Sequence, residues 1–216
     1  MASSTKLTEL QIELLEAFFE REKGFFLTGG AALAGFYLHH RMTEDLDLFT
    51  LDEDSFERAP HVLADVAACL GAQLVVRQQA PGFHRYVVSR EDGAVVVDLV
   101  LERVPQLIVE KWERDGISID PPQEILVNKL NTIASRCETR DLVDLMHLER
   151  TGLRIEDALE AALNKDGGCT PATLAWVLSQ IEIPQRAELP AGVSTSELRS
   201  FVDGLVRRLR RVAAPD

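Results

Sequence analysis

Hydrophobic residues at Leu10, Leu14, Leu15 and Phe18 recur at the spacing of one helical face, so an amphipathic helix is predicted from Leu7 to Glu22, ended by Gly24. Phe25, Phe26 and Leu27 then form a short apolar run, the pattern of a buried strand, leading into Thr28, Gly29 and Gly30. The segment AALAGFYLHH after it reads as helix, which gives strand, tight turn and helix in succession. From Thr43 to Thr50 the period falls to two: Asp45 and Asp47 alternate with Leu46 and Leu48, the signature of a strand. Helical spacing returns from Asp54 to Leu70 and stops at Gly71.

Between Gln73 and Glu102, the runs QLVV, HRYVVSR and AVVVDLVLE are separated by a Pro-Gly turn and by Glu91, Asp92 and Gly93, which predicts a β-meander. Past about Pro121 only helical periodicities remain. Pro121 and Pro122 open one helix, and Thr170 with Pro171 supplies the cap and first position of another. The predicted organisation is therefore a mixed α/β core over residues 1–120 and a helical lobe over residues 121–216. No repeat or low-complexity tract interrupts it.

Composition bounds the class. A chain of 216 residues suffices for one good core and a second, smaller one. Its 46% hydrophobic and 27% charged residues leave little room for long disorder. The start has polar residues in every turn, unlike the continuous apolar core of a signal peptide, and no run approaches a bilayer span. Cys69, Cys137 and Cys169 are widely spaced and odd in number, so neither a disulfide framework nor a Cys-type zinc site is suggested. A reducing cytoplasm is the default. A net charge of -12, with a pI near 4.9, opposes binding of nucleic acid over the whole surface. The local exception is Arg207, Arg208, Arg210 and Arg211, which equally suit a solvated helix end.

The candidate chemistry begins with Asp45 and Asp47. Two apart on a strand, they point to one face about 7 Å apart at Cα. Such a pair is solvated, protonated, or holds a cation between its members, and oxygen-only ligands suit Mg²⁺ or Mn²⁺ rather than zinc. By itself an Asp-Leu-Asp favours the plainer reading of an exposed strand face. Asp98 says more, because Val96 and Val100 flank it on its own side of a Val-rich strand. A lone carboxylate there implies a partner, either a basic side chain or a metal. Gly29 and Gly30 let backbone N–H groups approach phosphate oxygens, or simply make a tight turn.

A Gly-Gly turn, a helix, a strand with two aspartates and a later strand with a third resemble the layout of the polymerase-β-like nucleotidyltransferases. Within that superfamily, TGGAALAGFYLHHRMTEDLDLF is similar to the first motif of the abortive-infection nucleotidyltransferase toxins, the AbiEii/AbiGii type. In EILVNKLNTIASRCETRDLVDLMHL, the positions Lys129, Arg136, Arg140, Asp141 and Asp144 match that family's lysine, arginine and Arg-Asp-x-x-Asp pattern. The resemblance covers roughly Phe26 to Leu148. Val143 departs from it where an aromatic is usual, and Gly30 stands where many relatives in the superfamily have Ser.

The resemblance implies an α/β (α+β) polymerase-β-like core with a mixed sheet, a C-terminal helical lobe, and a nucleotide in the cleft between them. It implies that Asp45, Asp47 and Asp98 bind Mg²⁺ or Mn²⁺, with Asp98 also taking the proton of the attacking hydroxyl. Gly29 and Gly30 would grip phosphates, Lys129 would neutralise triphosphate charge, and Arg41 would reach a γ-phosphate unless it is a surface loop arginine. Arg136, Arg140 and Asp144 complete the nucleotide-binding set. The implied activity is transfer of a nucleotide from an NTP to RNA, with tRNA as the leading acceptor, by a type IV toxin beside a cognate antitoxin.

The second block also has a reading free of the family. Lys129, Arg136 and Arg140 fit one helical face, and Arg136 with Arg140 is an i, i+4 pair of like charges. A triphosphate relieves that repulsion, or Asp141 and Asp144 do so as ion-pair partners. A cap at Thr139 would break the shared face. Two other functions remain open: transfer to a small cationic acceptor such as an aminoglycoside, favoured by the acidic surface, and a non-catalytic module binding a nucleotide or a protein.

Overall fold

The first helix, α1, spans Glu9–Arg21 in a computed structural model that describes residues 5–184 and 188–214; the first four residues of the opening stretch lie outside that range. Thr8 and Gln11 form a reciprocal capping box: the Gln11 N–H donates to Thr8 Oγ1 at 3.3 Å, and the Thr8 N–H donates to Gln11 Oε1 at 2.8 Å. The helix buries the predicted face of Leu10, Leu14, Leu15 and Phe18, together with Phe19.

Seven strands follow: β1 (Phe25–Thr28), β2 (Asp45–Thr50), β3 (Gln73–Ala80), β4 (Phe83–Arg90), β5 (Gly93–Leu101), β6 (Trp112–Arg114) and β7 (Ile117–Ile119). They form one mixed sheet in the order β3-β4-β5-β2-β1-β7-β6, as the fold class anticipates. The three Val-rich runs make the expected antiparallel meander, β3 to β5. β5 then lies parallel to β2, which brings the two aspartate-bearing strands side by side. α1 and α3 (Glu53–Cys69) pack on the sheet, and the alternation along β2 follows: Leu46 and Leu48 are fully buried, whereas Asp45 and Asp47 are half-exposed.

Two local expectations need correction. The helix after the Gly-Gly turn does not reach His40. A short α2 (Gly29–Ala32) passes into a π-helical turn, Leu33–Tyr37, closed by the Leu38 N–H donating to Leu33 O at 2.7 Å. His39, with φ of 49°, then adopts a left-handed conformation that a helix cannot continue. The hairpin of β6 and β7 also goes beyond the expected meander. Its two-residue turn is Asp115-Gly116, both with positive φ, as a type I′ turn requires.

The chain divides into two compact units, Met1–Val104 with Glu110–Pro121, and Pro105–Val109 with Pro122–Asp216. The second is helical: α4 (Pro122–Ser135), α5 (Thr139–Arg150), α6 (Ile155–Lys165), α7 (Pro171–Ser179) and α8 (Thr195–Ala213). α4 packs against α5, α6 and α7, and α8 against α7 and α5. Thr170 caps α7 through the Thr173 N–H, with Pro171 at its start. Among the described residues no helix is long and apolar enough to cross a membrane.

Candidate functional site

In the sheet unit, strand register sets the site. Asp47 on β2 lies opposite Asp98 on β5 and opposite Thr28 on β1, and Asp98 lies opposite Arg85 on β4. Residues paired directly across strands project from the same face, so Arg85, Asp98, Asp47 and Thr28 form one transverse row, with Asp45 two residues along from Asp47. The three predicted carboxylates therefore share a face. The opposite face of β5 carries Val97 and Leu99, both fully buried.

The Gly-Gly turn closes on this row. Gly29 has φ of 64°, and a Cβ there would collide with Asp47 Oδ2, so glycine is needed both for the backbone and for the carboxylate's position. A Cβ on Gly30 would come within 2.7 Å of Arg41 Nη2. Arg41 is thus buried over the turn, not a surface loop arginine; its Nη1 donates to Met42 O at 3.0 Å. The loop is fastened to α1 by Gln11 Nε2, which donates to Thr43 O at 3.0 Å. Thr28 is buried and its hydroxyl has no hydrogen-bond partner among the described residues, leaving a polar atom at the end of the row.

Asp98 answers the question its apolar setting poses. Its partner is a basic side chain: Arg85 Nε donates to Oδ1 at 2.7 Å and Nη2 to Oδ2 at 2.6 Å, a bidentate pair. The hydrogen bond to Asp98 and the negative charges of Asp98, Asp45 and Asp47 hold the guanidinium above its ordinary pKa. Asp45, Asp47 and Asp98 thus line one face of adjacent strands, with both oxygens of Asp98 engaged by Arg85. Among the described residues no group of three His, Cys, Asp or Glu side chains is placed to hold an ion. The donors themselves, carboxylate oxygens on one face of adjacent strands, fit a hard divalent cation.

Arg85 escaped the sequence reading. The signal was available in HRYVVSR, where period-two alternation puts Arg85 on the same side as Phe83 and Val87, away from the buried Tyr86 and Val88. What could not be read was the register that sets it against Asp98.

In the helical unit, Lys129 is 9% exposed, and its Nζ lies 2.7 Å from both Asp141 Oδ1 and Asp144 Oδ2, themselves buried. Burial opposes the lysine's charge, but Asp144 and Asp141 outweigh it and hold the pKa above its ordinary value. Arg136 and Arg140 do not share a helical face, which corrects that expectation. α4 ends at Ser135 and α5 begins at Thr139, with extended Glu138 between them as N-cap. Both arginines reach Glu138, Arg140 at 2.7 Å and Arg136 at 3.6 Å. A second buried cluster went unread: Lys165 pairs with Glu124, whose other oxygen accepts the Ile108 N–H at 2.8 Å.

Of the C-terminal arginines, Arg208 is taken up by Glu149 and Glu156 at 2.7 and 3.2 Å, while Arg207, Arg210 and Arg211 are exposed.

The family model for the nucleotidyl transferase AbiEii toxin of type IV toxin–antitoxin systems matches residues 13–212. Among solved structures, the chain is similar to JHP933 from Helicobacter pylori, at 18% identity and a TM-score of 0.58, over 95% of this chain and 92% of that one. A second H. pylori protein, provisionally described as a nucleotidyltransferase, is 17% identical with a TM-score of 0.54, over 94% of this chain and 95% of that one. At these identities the likeness shows the fold. Among curated proteins none matches.

Proposed function

The chain belongs to the AbiEii family of nucleotidyl transferase toxins, and from that premise we propose that it moves a nucleotide from an NTP to a hydroxyl of RNA, with tRNA as acceptor. The observation that carries this reading is the row on the sheet: Asp47 and Asp98 paired across β2 and β5, Asp45 beside them, and Gly29 at the end of the next strand. Proximity of carboxylates on a rigid sheet is what phosphoryl transfer requires of a protein, since catalysis there is positioning and charge compensation.

In this reading Asp45 and Asp47 hold Mg²⁺ or Mn²⁺, and Asp98 joins them. A divalent ion bound there supplies positive charge to the phosphates and to the attacking oxygen. The turn at Gly29 and Gly30 presents backbone N–H groups to phosphate oxygens, and Arg41 adds charge beside it. The acceptor oxygen forms a bond to the α-phosphorus, the bond to the β-phosphate oxygen breaks, and pyrophosphate leaves. The hydroxyl proton passes to a carboxylate oxygen of Asp98. By family pattern Arg136 and Arg140 meet the nucleotide, and Lys129 with Asp144 acts on it by fixing, through the pairs with Asp141 and Asp144, the start of α5 that carries Arg140. An antitoxin is the expected protein partner.

The net charge of -12 favours a second reading, a small cationic acceptor of the aminoglycoside type. Purified protein incubated with each α-labelled NTP, Mg²⁺ and total tRNA, beside lanes holding an aminoglycoside, no acceptor, or the Asp47→Ala variant, separates the two. Label entering RNA with the native protein alone is the expected result. Label in the drug lane alone replaces RNA with the small acceptor, and label on neither overturns both.

A further inference from the structure

We propose that Arg85 is a positioning residue for the transfer reaction: a displaceable counter-ion that occupies Asp98 and competes with a divalent cation for it. This rests on the metal-dependent reading of the carboxylate row above.

Both oxygens of Asp98 accept from one guanidinium, at 2.7 and 2.6 Å, with the carboxylate 8% exposed. A carboxylate offers about four lone-pair directions, and an end-on bidentate arginine takes one on each oxygen. A divalent ion approaching the same group meets fewer free lone pairs and a fixed positive charge in the same row. Arg85 therefore opposes the cation twice, by geometry and by repulsion.

The surroundings of Arg85 suit a group that lets go. Its side chain is 41% exposed, so it can be rehydrated without opening the core. Its guanidinium carbon already lies 5.5 Å from the centre of the Phe83 ring, which offers a place to rest when Asp98 is released.

Asp98 consequently has two states. Paired with Arg85 it is held in place and out of reach as a ligand or base. Released, it completes the set that Asp45 and Asp47 begin. Removing the guanidinium should make the second state the resting one and so tighten cation binding, whereas loss of a brace would loosen it.

The test is Mn²⁺ affinity of the full chain without nucleotide, measured by titration calorimetry and by the electron paramagnetic resonance of free Mn²⁺. Arg85→Gln is expected to bind Mn²⁺ about fivefold or more tightly than the native protein. Arg85→Lys, with a point charge and no fork, should fall between them, and it carries the test if Arg85→Gln does not fold. Asp47→Asn serves as the site control. If the native protein binds Mn²⁺ through Asp47 and neither Arg85 variant binds it more tightly, the counter-ion role is overturned while the metal reading stands. If neither the native protein nor the variants bind Mn²⁺ in a saturable way, both are overturned.

Discussion

Asp98 and Asp144 are both buried carboxylates paired with a cation, one in the sheet unit and one in the helical unit. Around Asp98 the cation is Arg85, 41% exposed, reaching one buried carboxylate and feeling two more that are half-exposed. Around Asp144 it is Lys129, its side chain 11% exposed, shared with a second buried carboxylate, Asp141. The pairs use the same chemistry in opposite dielectric settings. Water can take over from Arg85, because its charge is reachable from solvent. Loss of Lys129 would remove from the interior the charge that two buried carboxylates share. The first arrangement is therefore suited to exchange with a ligand and the second to holding helices together.

The largest effect expected is on the second pair. Lys129→Met should cost about 3–5 kcal/mol in urea unfolding, the price of stranding a buried carboxylate. Next comes Gly29→Ala, at about 1–3 kcal/mol for a left-handed alanine. It should also weaken Mn²⁺ binding, because the added Cβ displaces the Asp47 carboxylate. Gly30→Ala should do less, since its nearest obstacle is the end of the flexible Arg41 side chain. Arg85→Gln should cost about 1 kcal/mol, as expected for a pair open to water on one side. Equal losses in Lys129→Met and Arg85→Gln would break the comparison, making both pairs structural.

How much of this was legible follows from the range of each signal. The first helix, the meander and the Asp-Leu-Asp strand were readable, because periodicity is local and Leu46 and Leu48 obey it. The flanking of Asp98 by Val96 and Val100 correctly implied a partner, yet the choice between a base and a metal needed the strand order, and only pairing of β4 with β5 supplies Arg85. The β6–β7 hairpin was missed because three-residue strands are too short to show a period, although Asp115-Gly116 marked its turn. Arg136 and Arg140 look like one helical face because their spacing is right. The break between them rests on Glu138, which takes an extended conformation without a side-chain cap to announce it. The partners of Lys129 lie 12 and 15 residues away on the next helix, beyond any pattern along one helix.

The smallest effect expected is in acid, and it separates the two units again. His84, next to Arg85 on β4, packs its ring 4.8 Å from Phe56 and 6.2 Å from Tyr86, and its Nδ1 has no hydrogen-bond partner among the described residues. Burial holds its pKa below the ordinary 6.5. The folded state thus takes up a proton less readily than the unfolded chain. The contribution of neutral His84 is complete above pH 6.5 and is lost as pH falls through the depressed folded value. Lys129 runs the other way: its pKa is raised, so its contribution is complete below 10.5 and fades only as pH climbs through the higher folded value. Urea unfolding of the native protein should therefore weaken from pH 7 toward pH 5, and His84→Leu should flatten that slope. A slope that His84→Leu leaves unchanged would assign the acid sensitivity to the carboxylates held below their ordinary range, Asp52 at the N-cap of α3 by its hydrogen bonds from Ser55 and Asp92 by its pair with Arg90.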